Sequence, residues 1–280
     1  MIKVDECPIC KSKESLILQI QKYICEVLNI INPKLNEIER IWYQCKNCYI
    51  AYRSPKLDEK EQETFYKKNY RSFAFRKETP DAYFDRISNY SNDKSINFEK
   101  VDYFLKNKKR NFSVEEINIL DIGCGGGVLI KKIKEMLPNT KCYGVEPNEL
   151  FANLSSRRSG AVQIINDFYD KNTFNNINFN LIVSSDVLEH TDFPKKFLKD
   201  AYFNLKNGGC IYLIVPSSEN FQYIKNITHD VFGIGHHILF SKESLKKLLM
   251  DNNFEKIHIE SVKTMDDQYE IRAIAYKNEN

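Results

Sequence analysis

The sequence predicts an α/β protein: a doubly wound, seven-stranded sheet whose last strand runs antiparallel, preceded by a cysteine-bearing module and a helical segment. Three observations carry this. From residue 116 onward, short apolar runs alternate with amphipathic stretches. One of those runs, ILDIGCGGG over residues 119–127, closes on an acid and a glycine turn. Four of the five cysteines in the first 53 residues form two C-x-x-C pairs.

The elements follow in order. Residues 1–53 form the first module. Cys7 and Cys10 make one pair, Cys45 and Cys48 the other. Each C-x-x-C turn offers two thiolates along one edge of a tetrahedron, and in a reducing compartment such pairs hold structural zinc rather than disulfides. The insert between them, ESLILQIQKYICEVLNII, reads as partly helical or as a long hairpin. YIAYR after the second pair reads as a short strand. Cys25, Cys124, Cys142 and Cys210 sit in apolar runs or in the glycine turn and read as small buried residues.

Residues 54–112 form a helical linker or lid. Asp58 to Asn69 begins with acids and ends with lysines, as a helix dipole prefers. Tyr70, Phe73, Phe75, Tyr83, Phe84 and Tyr90 follow. They either pack the linker onto the main domain or cover the active site. The basic run from Lys106 to Arg110 reads as a solvated helix end.

Residues 113–280 form the main domain. Strands are expected near 117–122, 141–146, 162–166, 180–185, 210–215, 255–262 and 271–277. Helices are expected near 127–136, 148–158, 194–205 and 242–252. Only a short polar segment joins the last two strands, leaving no room for a crossover helix, so they should be antiparallel neighbours.

The glycine turn carries the chemistry. Asp121 precedes Gly123, Gly125 and Gly127, and a second apolar run ends on Glu146, 19 residues after Gly127. A dinucleotide fingerprint needs a small residue at its sixth position to seat a pyrophosphate; Val128 stands there instead. A carboxylate beside the turn repels phosphate and suits an ammonium group. S-adenosylmethionine has an ammonium, a sulfonium, a ribose and no phosphate, and Glu146 can accept from both ribose hydroxyls.

The chain has 280 residues, with 42% hydrophobic and 28% charged residues and a net charge of +3. No apolar run reaches the ~18 residues of a membrane span. The first residues do not resemble a secretory signal, so a cytoplasmic location is expected. The charge is too mild to call for nucleic acid: residues 1–53 hold eight Lys or Arg against six Asp or Glu.

With these elements placed, residues 116–280 resemble a class I S-adenosylmethionine-dependent methyltransferase with a Rossmann-like sheet. LDIGCGGG resembles the first motif of that family and YGVEP the second. NDFYD resembles the turn that contacts adenine, and FNLIVSSDVLEHTDFP the fourth-strand motif of the subgroup that methylates small molecules. LKNGG resembles the turn before the fifth strand. GHHILFSKESL resembles the histidine segment before the last helix. The paired C-x-x-C motifs are similar to the zinc ribbon of several bacterial sugar and natural-product methyltransferases. The resemblance implies that Asp121 and the glycine backbone face the methionine end and that Glu146 takes the ribose. Asp167 and Phe168 then meet the adenine, and Ser184 lines the methyl donor.

The resemblance fixes no catalytic base. His190, just past the fourth strand, and His236 are the candidates, because imidazole titrates near neutrality. His237 and Asp186 are weaker ones, and Glu189 stands where it can orient His190. Residues 217–240 read as an acceptor-side lid carrying Phe221, Tyr223 and His236, with Gly233 and Gly235 as hinges. The leading function is O-methylation of a small-molecule acceptor: a sugar, a sugar nucleotide or a related metabolite. The alternatives are an RNA methyltransferase with a zinc ribbon and a non-catalytic zinc-organised binding protein. The near-balanced ribbon charge argues against the first, and the intact acid–glycine–acid set against the second.

Overall fold

The computed structural model describes residues 1–21, 39–70, 77–109, 117–218, 235–265 and 269–279. Cys25, Phe73, Phe75, Phe221, Tyr223, Gly233 and most of the expected acceptor-side lid lie outside the described residues.

At the N-terminus, β1 (Ser15–Gln21), β2 (Arg40–Cys45) and β3 (Ala51–Ser54) form an antiparallel meander. The start of the insert is therefore a strand. The two C-x-x-C turns are copies of one another. In each, the first cysteine's N–H donates to the carbonyl five residues on (Ser12, Ile50), and its carbonyl accepts from the residue four on (Lys11, Tyr49). Lys11 and Tyr49 both take left-handed conformations, at φ 63° and 60°. A fourth strand comes from far along the chain: β9 (Ile238–Leu239) pairs antiparallel with β3, Tyr52 opposite Ile238. The ribbon sheet is thus not made by residues 1–53 alone.

The linker is helical. In α1 (Glu59–Thr64), Asp58 and Glu61 close a reciprocal capping box, which satisfies two N-terminal amides and fixes where the helix starts. The helix continues as a π-helical turn over Phe65–Asn69. α2 (Pro80–Ser88) starts at a Thr79 cap with proline in its first position. α3 (Ile96–Asn107) buries Lys100, Val101 and Phe104 on one face. Tyr83 and Phe84 pack with Phe151, so these two aromatics dock the linker onto the main domain.

The main sheet holds β4 (Ile117–Ile122), β5 (Thr140–Val145), β6 (Gln163–Ile165), β7 (Phe179–Ser185), β8 (Leu205–Pro216), β10 (Glu255–Lys263) and β11 (Tyr269–Tyr276). Its order is β10-β11-β8-β7-β4-β5-β6. β11 runs antiparallel to both β8 and β10. The helices are α4 (Val128–Met136), α5 (Glu149–Arg158), α6 (Pro194–Asn204) and α7 (Lys242–Met250). The expected seven strands and four helices are all present. β8 begins at Leu205 rather than near 210, because Leu205 pairs with Phe179 and draws the LKNGG turn into the ladder.

Strand alternation splits the core between two faces. Ile211, Leu213 and Val215 of β8 join the side chains of α6 and α7, while Cys210, Tyr212 and Ile214 join those of α3 and α4. Cys124, Cys142 and Cys210 are buried, as expected of small apolar fillers. No helix among the described residues is long and apolar enough to cross a membrane.

Candidate active site

The chain builds β4, β5 and β6 toward one edge of the sheet, then returns to build β7 and β8 on the other side. The order reverses between β4 and β7, and ligands of such sheets bind in the crevice at the strands' carboxyl ends there. A cavity of about 970 Å³ occupies that position, near the top of the usual range for ligand pockets, about 300–1,000 Å³. Gly123 after β4, Glu146 after β5, Asp186 after β7 and Pro216 at the end of β8 all line it.

The glycine turn has a steric reason for its composition. Gly123 lies at φ +73°, and a Cβ there would come within 2.4 Å of Val187 Cγ2. Gly127, at φ +81°, caps α4, and its Cβ would meet Ser155 Oγ at 2.3 Å. Only glycine satisfies both the backbone and the space. Glu146 braces this turn. One carboxylate oxygen accepts from the Gly125 amide and the other from the Asn148 amide, each at 2.9 Å. A carboxylate oxygen has two lone-pair sites, so capacity toward a ligand's hydroxyls remains.

Asp121 is 2% exposed near the end of β4. Burial pushes its carboxyl up to about 8; Lys100 opposes the shift and Glu146 adds to it. A buried acid held in its neutral form is one that an incoming cation would ionise. Asp167 and Phe168 both line the cavity, and Lys67 lies over the Phe168 ring at 5.6 Å and against Asp167 at 3.6 Å. Ser184 is buried at 1% exposure and is not among the lining residues; its neighbour Ser185 is. Alternation along β7 turns Ser184 inward.

His190 and His236 meet, with ring centroids 4.6 Å apart, and both line the cavity. Burial, aided by His236, holds the His190 imidazole well below its ordinary pKa, so it is neutral near pH 7. Glu189 lies behind the pair, fully buried, with Oε1 at 3.7 Å from His190 Nε2 and 3.9 Å from His236 Nε2. His237 points elsewhere: its Nδ1 meets Asp192 Oδ1 at 3.0 Å, and Lys56 and Gln62 hold the same carboxylate. Asp186 is paired with Lys100 at 3.1 Å, and that ammonium keeps its carboxyl below the ordinary value against the desolvation of the crevice.

The linker supplies groups that sequence reading missed. Tyr66 reaches His190 Nδ1 at 2.9 Å and the Gly235 carbonyl at 3.2 Å. Lys100 reaches Ser185 and Asp186 from a buried position on α3. Neither has a motif. The only signal was a lysine on the apolar face of an amphipathic helix.

The four N-terminal cysteines converge, all sulfurs lying within 4.8 Å of one another. Cys7 to Cys48 and Cys10 to Cys45 are each 3.5 Å apart. A zinc–sulfur bond of about 2.3 Å gives a tetrahedral edge of about 3.8 Å, so the donor set and its spacing both fit zinc.

A family model described as "Methyltransferase domain" matches residues 75–259. The chain is similar to the mitochondrial ubiquinone biosynthesis O-methyltransferase of Candida albicans, 25% identical over 44% of this chain and 38% of that one. It is also similar to the malonyl-[acyl-carrier protein] O-methyltransferase of Haemophilus ducreyi, 27% identical over 50% of this chain and 53% of that one. The matched region thus spans about half or less of these relatives' own length. Among solved structures, the magnesium protoporphyrin IX methyltransferase of Synechocystis PCC 6803 with bound SAH superposes with a TM-score of 0.55. That match covers 79% of this chain and 100% of that one, at 14% identity, and speaks for the fold alone. With more than half its length under the family model and the sheet order above, the chain belongs to the class I S-adenosylmethionine-dependent methyltransferases.

Proposed function

We propose that this protein transfers the methyl group of S-adenosylmethionine to an oxygen of a small-molecule acceptor. The observation that carries the reading is one continuous cavity running from Gly123 and Glu146 to His190 and His236. The first end has the donors and acceptors that a nucleoside with an ammonium tail needs. Asp121 and the glycine backbone take the methionine end, Glu146 the ribose, and Asp167 with Phe168 the adenine. The second end is where an acceptor would meet the methyl group.

The sulfonium is already a good electrophile, so the protein's task is to align acceptor, methyl and sulfur and to exclude water. His190 and His236 face the acceptor, and an uncharged imidazole there can receive a hydroxyl proton. Three of the four similar curated proteins are named as O-methyltransferases and the fourth as a release factor glutamine methyltransferase; on that majority we favour oxygen. Within that class we favour a hydroxylated metabolite such as a sugar. Glu59, Glu63, Asp186 and Glu270 make the lining acidic, which favours a neutral or cationic acceptor over nucleic acid. The phosphates of a sugar nucleotide would have to sit in the adjoining groove near Lys56, Lys195 and Lys196. In the ribbon, Cys7, Cys10, Cys45 and Cys48 hold structural zinc.

Calorimetry with S-adenosylhomocysteine tests the cofactor assignment, and absence of binding would refute it. A panel of hydroxylated metabolites, assayed for S-adenosylhomocysteine release, then tests the acceptor class.

A further inference from the structure

Among the described residues, Glu189 is a fully buried acid, and neither carboxylate oxygen has a hydrogen-bond partner. An unpartnered buried carboxylate costs several kcal/mol unless something neutralises it. Lys100, the cation whose charge reaches Glu189, is committed to Ser185 and Asp186.

What faces Glu189 instead is imidazole nitrogen. His190 Nε2 and His236 Nε2 stand 3.7 and 3.9 Å from Oε1. The Tyr66 contacts accommodate a metal-ready His190 tautomer. With the hydroxyl proton on the Gly235 carbonyl, which only accepts, the hydroxyl oxygen accepts from His190 Nδ1–H. Nε2 then carries a lone pair, not a proton, toward the carboxylate. Burial pushes the Glu189 carboxyl well above its ordinary value, so the charged form of this acid calls for a positive partner held between it and the imidazoles.

A cation resolves this. One donor atom from each of Glu189, His190 and His236 lies within 4.8 Å of the others. Two histidines and one carboxylate form a recognised triad for first-row divalent metals, and metal-nitrogen and metal-oxygen bonds of about 2.0–2.2 Å require only that the three close in by a few tenths of an ångström. The outer contact also fits, because a ligating histidine commonly donates its second N–H to a fixed partner, here Tyr66.

Resting on the methyltransferase reading for its purpose, we infer that Glu189, His190 and His236 form a second metal site, for a divalent first-row ion, in the floor of the acceptor half of the cavity. His190 and His236 line the cavity while Glu189 lies behind them, so the ion's remaining positions open toward the acceptor. They would take its oxygen donors, which favours acceptors with a hydroxyl beside a second oxygen. The histidines would then hold the acceptor through the ion rather than act as free bases.

The test is titration of the full chain with Mn2+, followed by electron paramagnetic resonance, with S-adenosylhomocysteine affinity measured on the same preparation. Manganese prefers nitrogen and oxygen donors, so the N-terminal thiolates do not compete for it. The expected result is one bound ion with histidine nitrogen couplings in the wild-type spectrum. Glu189→Gln and His236→Gln should each weaken it about tenfold or more while leaving S-adenosylhomocysteine affinity within about threefold. Wild-type protein that binds S-adenosylhomocysteine but takes up no Mn2+, or shows no histidine coupling, overturns the metal site alone. Glu189→Gln binding Mn2+ as tightly as wild type overturns it as well. Mn2+ binding with no affinity for S-adenosylhomocysteine upholds the site and refutes the methyltransferase reading.

Discussion

The Glu146 carboxylate accepts the Gly125 amide proton at 2.9 Å, tying the end of the second parallel strand to the middle of the glycine turn. The acid we propose to read a ribose therefore also shapes the loop beside it. Glu146→Gln should keep acceptor capacity on one side of the group, while Glu146→Ala removes it all. Affinity for S-adenosylhomocysteine should fall by roughly 1–3 kcal/mol in the alanine variant and by less in the glutamine variant. Calorimetry reads both, and equal affinities across the series would sink the ribose assignment.

The raised pKa of Asp121 gives cofactor binding a pH signature. Its folded value is near 8, and a bound ammonium favours the ionised form. Below that value binding must expel a proton, so affinity should rise with pH, by up to about tenfold per unit, and level off above about 8. For the free protein the sign is opposite. The folded state keeps a proton that the unfolded chain has lost above about pH 4, so Asp121's contribution to stability declines as pH rises from about 4 to 8. Asp121→Asn should flatten both profiles. Calorimetry in buffers of different ionisation enthalpy, with thermal melts across the same range, checks the pair.

Gly127→Ala should destabilise the fold with or without ligand. The left-handed backbone costs about 1 kcal/mol and the overlap with Ser155 Oγ adds about 1–3 kcal/mol. Ser155→Ala in the same chain should recover part of the overlap cost and none of the backbone cost. A thermal midpoint equal to wild type for Gly127→Ala would contradict the turn geometry.

Cys45→Ser should release the zinc we propose for the ribbon, because one missing thiolate opens the tetrahedron. Elemental analysis of wild type and variant, with proteolysis mapping of residues 1–53, reads the result. Carefully prepared wild type without zinc would remove that ion from the ribbon.

His236→Ala should lower turnover far more than affinity for S-adenosylhomocysteine, because His236 lines the cavity beside His190, among the groups proposed to face the acceptor. The reverse pattern would move it out of the acceptor half.

Much of this was legible in the sequence, for local reasons. Asp121, the three glycines and Glu146 fall within one strand–turn–helix–strand unit, whose spacing the backbone dictates. Short apolar runs such as CIYLIVP announce strands however they are later ordered, and each C-x-x-C pair marks its own knuckle. What escaped depends on contacts across long stretches of chain. Tyr66 and His190 are 124 residues apart and meet only because the linker folds back over the sheet. Lys100 reads as one of many lysines until α3 is docked. Ser184 and Ser185 are chemically alike, and only the phase of β7 decides which one faces the cavity.

β9 has a consequence for how the molecule tolerates damage. Its two residues, paired to β3, begin two positions after His236. A few peptide units thus tether the imidazole to the sulfur cluster. Oxidising the four thiols would slacken that tether and misplace His236 before it disturbed the glycine turn. On the proposed reading, such protein should still capture nucleoside yet stall at the chemical step, and trimming the ribbon away should do the same.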